Sequence, residues 1–323
     1  MSKFNSTYRV KKAAWDVTYK FFRAVLLFGL CFLIIQPLLE KLSASFMSQQ
    51  DLYDSTVISI PRNFTLNNYH IASDLLNFKS SLLQTVGIVL VSSVLQVAAC
   101  TLAGYGFARF KFPLKNFWFM CVMLIIIIPP QTIMSSLYLN FHFFDILRIS
   151  RLITGEPINM LNSVAGFWLL SATGMGLKSG LYIFMLRQYF RGMPKELEEA
   201  AWVDGCNRFH TFVRIMLPDA APMITSCFLF SFVWQWTDSF YSTLFLTNYQ
   251  VLSSELGSLA DRFDQYWAAM NNAAGSVFSR APMGYTQAIL ATGMLMCLAP
   301  LVALYLIAQK AFVESLSQTG IKM

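Results

Sequence analysis

Residues 194–218, Pro-Lys-Glu-Leu-Glu-Glu-Ala-Ala-Trp-Val-Asp-Gly-Cys-Asn-Arg-Phe-His-Thr-Phe-Val-Arg-Ile-Met-Leu-Pro, are the most polar long stretch lying between two apolar runs. They read as a small helix-turn-helix. Pro194 presets a first helical position, and Glu196, Glu198 and Glu199 fall in a first turn, where the helix dipole favours negative charge. Gly205 can stop that helix, Asn207 can cap the next, and Pro218 is expected to end it.

The rest of the chain is too apolar for a soluble domain. Of its 323 residues 56% are hydrophobic and 13% charged, and the mean hydropathy is +0.51, so the long uncharged runs point to a bilayer. The six cysteines (Cys31, Cys100, Cys121, Cys206, Cys227, Cys297) lack paired spacing and read as small core residues, not as a disulfide frame or a metal site. His70, His142 and His210 are too widely spaced to form a local ligand pair.

The pattern Glu199-Ala200-Ala201, Gly205 after three further residues, and Ile215-x-Leu217-Pro218 after nine more resembles the signature loop of permease subunits of binding-protein-dependent ABC importers. In that family the loop is a coupling helix docked in a cleft of a cytoplasmic ATPase. The resemblance therefore implies coupling roles for Glu196, Glu199, Ala200, Ala201, Asp204, Gly205, Leu217 and Pro218. Two amphipathic helices resting on the membrane surface would carry similar charges.

Outward from this loop the apolar runs set the expected architecture. A basic segment, residues 1–23, precedes a first run from about Ala24 to Leu39. A signal peptide has the same polarity, with Ser43-Ala44-Ser45 as a cleavage-like site, but an uncleaved span is preferred because at least five more runs follow. After an outside loop of residues 40–80, a second run spans Leu82–Phe107, with small residues that permit close helix approach. Asn63–Tyr69 and Gly104–Phe110 are similar to segments of carbohydrate-importer permeases.

The third run, Phe117–Phe141, is expected to kink at Pro129-Pro130, which makes Gln131 a candidate pathway residue. The fourth run, Val164–Phe190, contains Lys178, which either lines a cavity or marks the outer end of a shorter helix starting near Gly180. Gly176-Leu177-Lys178-Ser179 lacks the glycine before lysine that a phosphate loop needs. In the fifth run, Met223–Leu246, the patch Trp234-Gln235-Trp236-Thr237-Asp238 resembles a family feature. An aromatic belt accounts for it as well as sugar stacking does, with Gln235 and Asp238 as hydrogen-bonding groups in the second case. Residues 247–284 read as a polar outside loop, and a sixth run, Ala288–Ala311, leads to a tail.

Six spans with both termini inside place sixteen Lys and Arg residues on inner segments and seven on outer loops, so the loop at 191–219 falls on the cytoplasmic side. The net charge of +7 then reflects membrane topology and needs no nucleic acid.

The expected fold is an all-α polytopic membrane protein. Its parts are a basic segment (1–23), a six-helix permease domain (24–313) with its coupling loop (191–219), and a cytoplasmic tail (314–323). The resemblance implies a bacterial plasma-membrane subunit working with a second permease, two ATPase subunits and an extracytoplasmic solute-binding protein to import a carbohydrate, with lipid around it. ATP and Mg would bind the partner ATPases and no cofactor would bind this chain, which carries no phosphate loop, zinc-hydrolase helix or nucleophile triad. An ion-driven secondary transporter or channel is the alternative; it calls for paired ionisable groups inside spans, where only Lys178 and Asp238 stand.

Overall fold

A computed structural model describes residues 2–54, 56–58, 60–145, 155–273 and 280–320, and side chains from residue 15 to residue 310 except at 272, 273 and the same gaps. Arg148, Arg151 and Lys322, which enter the charge balance, lie outside the described residues. The regular elements described are helical: α1 (Ser2–Phe46), α2 (Gln49–Tyr53), α3 (Asn67–Leu75), α4 (Phe78–Arg109), α5 (Lys115–Ile127), α6 (Met134–His142), α7 (Val164–Ala172), α8 (Ser179–Gly192), α9 (Glu196–Val203), α10 (Arg208–Thr211), α11 (Ala221–Trp236), α12 (Phe240–Phe245), α13 (Leu252–Ala273) and α14 (Met283–Gly320). The chain divides into two compact units, residues 1–72 with 260–295, and residues 73–259 with 296–323.

Three described helices are long and apolar enough to cross a membrane: Trp15–Phe46, Phe78–Arg109 and Met283–Lys310. Two bent pairs bring the number to five if each pair is one span. The third run turns through 103° between Ile127 and Pro130, as its two prolines lead one to expect, and the segment Arg208–Asp219 meets α11 at 72°. The fourth run is not one continuous helix, and of the two readings of Lys178 the structure has the one in which it marks the end of a shorter helix, which starts at Ser179, next to Gly180. It divides into α7 and α8 because Gly174 (φ +68°) and Lys178 (φ +61°) both take the left-handed conformation, which ends one helix and starts the next. Among the described residues the spans long and apolar enough to cross are thus three, or five with the bent pairs, and six are not reached.

Two further expectations are corrected. Residues 247–284 are not simply a loop: they hold the 22-residue α13, whose Leu252, Leu256, Leu259, Phe263 and Trp267 recur at spacings of three and four, with Leu252, Leu259 and Phe263 buried. Nor does Pro218 end the helix after Asn207. The turns continue through a π-helical stretch, Phe212–Met216, and a short turn, Leu217–Asp219, and the break comes at Ala220. Pro218 lies inside the last of these turns, and the helical run ends two residues after it.

In the second unit α4 packs against α7, α8 and α11. Lipid tails are as apolar as leucine, so hydrophobicity alone does not join helices in a bilayer; close packing and hydrogen bonds must do so. Gly104 shows the first, since a Cβ there would lie 2.8 Å from the Leu186 Cβ of α8. Around that approach Val97, Cys100, Tyr105, Tyr182, Leu186, Phe190, Met216 and Cys227 form one buried cluster. In the first unit α1 exposes a run of large apolar side chains, while Asn68 fastens the end of α1 by donating to the carbonyls of Ser45 (3.0 Å) and Met47 (2.9 Å).

Candidate functional site

The loop between α8 and α11 is built by its local sequence. The first hydrogen bonds of α9 run from the N–H groups of Glu198 and Glu199 to the Lys195 carbonyl. Gly205 sits at φ +82°, and the Gly205 and Cys206 N–H groups close the helix on the Trp202 and Ala201 carbonyls at 3.1 and 2.9 Å. Left-handed backbone suits glycine, and such bonds satisfy carbonyls that a helix end leaves open. The Asn207 side chain accepts from the His210 N–H at 2.8 Å and starts α10.

The result is a two-sided helix. Glu196, Glu199, Ala200, Asp204 and Gly205 are exposed, and Ala201 is buried against its own chain. Pro218 is exposed and Leu217 half-buried. Beside the exposed acids lie apolar side chains left open: Leu197, Trp202, Val203 (88% exposed) and Phe209 (71%). An acidic rim around uncovered apolar groups has the make-up of a docking surface.

Lys178, Gln131 and the patch from Trp234 to Asp238 are placed differently. Lys178 is exposed and precedes α8, with its Nζ 5.0 Å from the centre of the Trp234 ring. Trp234 is exposed too, so the pair presents a cation and an aromatic face to the surroundings. Thr237 is exposed as well, whereas Gln235, Trp236 and Asp238 turn inward. Trp236 donates its Nε1–H to the Cys297 carbonyl at 3.2 Å. The Asp238 carboxylate accepts from the N–H groups of Phe240, Tyr241 and Ser242 at 3.2, 2.9 and 3.3 Å, and so caps α12. Gln235 donates to Gln96 Oε1 at 2.6 Å and to Ser231 Oγ at 2.8 Å. Gln131 lies exposed in the 3₁₀ turn Pro130–Ile133, at the bend of the third run.

Residues 97–318 match the family model of the binding-protein-dependent transport system inner membrane component. The chain belongs to this family. It is 30% identical over 223 residues to a probable ABC transporter permease protein of Pyrococcus horikoshii, covering 68% of this chain and 74% of that one. It is 26% identical over 296 residues to the arabinooligosaccharides transport system permease protein of Halalkalibacterium halodurans, covering 91% and 93%. In fold it is similar to a chain in the crystal structure of a bacterial ABC transporter involved in the import of the acidic polysaccharide alginate, with a TM-score of 0.68, 17% identity, and 92% and 97% of the two chains covered. As a member of this family the chain is a multi-pass membrane component of a transport system, and the matched span contains every candidate residue named from the sequence.

Four residues absent from the sequence-derived site hold this permease together at its polar points. Glu198, one position before the motif glutamate, is 6% exposed. Its Oε1 accepts from the Tyr105 hydroxyl at 2.9 Å, and its Oε2 lies 3.5 Å from the Arg109 Nε, with both charged side chains 8% exposed. Gln96, fully buried in α4, donates to the Leu177 carbonyl and to Ser179 Oγ, both at 2.7 Å, while its Oε1 accepts from Ser231 and Gln235. Of the two glutamines in the apolar run Leu82–Phe107, Gln84 stands near its start and Gln96 deep within it, and that depth is the signal that would have found it. For Glu198 the available signal is the pair Tyr105 and Arg109, four apart and so on one helical face.

Proposed function

We propose that the chain is a permease subunit of an ATP-driven importer for a carbohydrate, an oligosaccharide, and that loop 191–219 couples ATPase closure to alternating access. The exposed face of α9, with Glu199 and Ala200 beside the uncovered Trp202 and Val203, carries this reading. Glu199 pairs with a basic group on a cytoplasmic ATPase, and Gly205 supplies the turn that lets the helix enter its cleft. Both termini lie in the cytoplasm, residues 1–23 and 314–323 flank the membrane domain, and the remaining partners are a second permease, another ATPase and an extracytoplasmic binding protein. ATP and Mg bind the ATPases. Closure of those subunits draws the loop with it, and the helices joined to the loop rock between two orientations.

The carbohydrate assignment is supported by relatives named for oligosaccharides, among them the arabinooligosaccharide permease and the maltodextrin transport system permease protein of Bacillus subtilis. The exposed Lys178 and Trp234 pair offers an aromatic face of the kind that stacks on sugar rings. In this reading Gln131, Gln235, Trp236 and Asp238 line or shape the route.

The test uses the assembled transporter with its binding protein in proteoliposomes, with labelled arabino-oligosaccharides and maltodextrins as probes. Glu199→Lys and Gly205→Asp are expected to leave ATP hydrolysis measurable while uptake falls at least tenfold. Uptake at the normal rate by Gly205→Asp would overturn the coupling role, and a wild-type transporter that moves neither probe would overturn the assignment to these sugars.

A further inference from the structure

The spans that flank the coupling loop in sequence are the obvious receivers of its movement, yet its buried charge points elsewhere. Glu198 is on the inward side of α9 with Ala201, opposite the exposed Glu199 and Ala200, and the groups it meets belong to α4. Tyr105 and Arg109 occupy successive turns at the end of that helix and so share a face.

The grip is wider than one ion pair. Arg109 Nη2 also donates to the Met193 carbonyl at 2.8 Å, where the chain leaves α8 for the loop. The Tyr105 ring packs against Phe190 of α8 (5.4 Å between ring centres) and against Phe212 (4.6 Å), the first residue of the π-helical stretch. Entry, acidic helix and π-helical stretch of the loop thus all touch the last two turns of α4. With both side chains 8% exposed, this pair is screened by salt much less than an exposed one.

The opposite end of α4 is tied as well. Gln84 Oε1 accepts from the Gln250 N–H at 3.1 Å and Thr85 Oγ1 from the Leu252 N–H at 2.9 Å. Between these points α4 is unbroken, and the 20 residues from Thr85 to Tyr105 span about 30 Å at about 1.5 Å per residue.

We propose that Tyr105 and Arg109 clasp Glu198 as a latch through which movement of the coupling helix enters α4 directly and is carried to the segment Gln250–Leu252. The inference rests on the coupling role proposed for loop 191–219. Tyr105, Arg109 and Glu198 are positioning residues in it: they act on the route through α4, while Glu199 faces the ATPase.

The experiment reads α4 without needing a sugar. Leu83→Cys places a thiol at the far end of α4, where the native side chain is 66% exposed. In the assembled transporter in nanodiscs, the rate of its reaction with a membrane-impermeant maleimide, above the background of the native thiols, is compared without nucleotide and after trapping with ATP and vanadate. The latch predicts at least a threefold change in rate in the otherwise native chain. In Glu198→Gln and Arg109→Met backgrounds that still retain the ATPases and hydrolyse ATP, the change should be lost, and in the charge-exchanged Glu198→Arg/Arg109→Glu double variant it should return.

Tyr105→Phe, which removes one hydroxyl, keeps the test usable if a charge variant fails to assemble; it should reduce the change at least twofold. A full response to trapping in Tyr105→Phe and in every assembled charge variant, or no response in the native background, overturns the latch. The Glu199→Lys and Gly205→Asp variants separate the two readings. If they uncouple transport while the latch variants still respond fully, only the latch fails; if they leave transport coupled, the role of the loop itself fails.

Discussion

The two polar ends of the α8 and α11 pair use their side chains in opposite ways. Around the loop, a single carboxylate, Glu198, is turned inward and held by Tyr105 and Arg109, and this leaves its neighbours Glu196, Glu199 and Ala200 facing out. Around Trp234 the proportions are reversed: Gln235, Trp236 and Asp238 are 5%, 3% and 9% exposed and bonded within the chain, and Lys178 with Trp234 stays open. One end thus keeps one acid for its own structure and exposes the rest. The other has spent most of its polar groups on its own structure and leaves a cation and a ring exposed.

Removing the inward carboxylate should break this contrast most severely. Glu198→Ala leaves the Arg109 charge buried without its counterion, and loss of one member of such a pair costs about 3–5 kcal/mol; thermal unfolding of the purified subunit in detergent should show the drop. At the other end Gln96→Leu withdraws the acceptor used by Ser231 and Gln235 and the donor used by Leu177 and Ser179. Groups left unpaired in this way cost about 1–3 kcal/mol, a smaller shift in the same measurement. Least of all is expected from Lys178→Ala, because an exposed cation over an aromatic ring contributes about 0.5–1 kcal/mol. Its unfolding temperature should hardly move, so a fall in oligosaccharide uptake by that variant would place Lys178 on the route, and unchanged uptake would return it to marking the start of α8.

The loop was legible because its signals are local. Gly205 and Asn207 act within a few residues of where they stand, and the prolines at 129 and 130 announced the bend of the third run for the same reason. The break in the fourth run was legible only as an alternative, a shorter helix starting near Gly180 with Lys178 at its outer end, because hydropathy does not register the left-handed backbone at Gly174 and Lys178 that makes the break. Polarity concealed α13 until its apolar residues were counted by spacing. Glu198 could not be told from Glu196 or Glu199 by any local rule, since what buries it is a tyrosine 93 positions earlier in the chain.

The glutamine at the middle of α4 also bears on how the subunit is made. Hydrocarbon offers no partner to a primary amide, and those of Gln96 come from residues 81 to 139 positions further along. During synthesis α4 therefore emerges with an unmet demand that only the arrival of Leu177, Ser179, Ser231 and Gln235 satisfies. The full set of Gln96 bonds can form only after residue 235, more than two thirds of the way along the chain, has been translated.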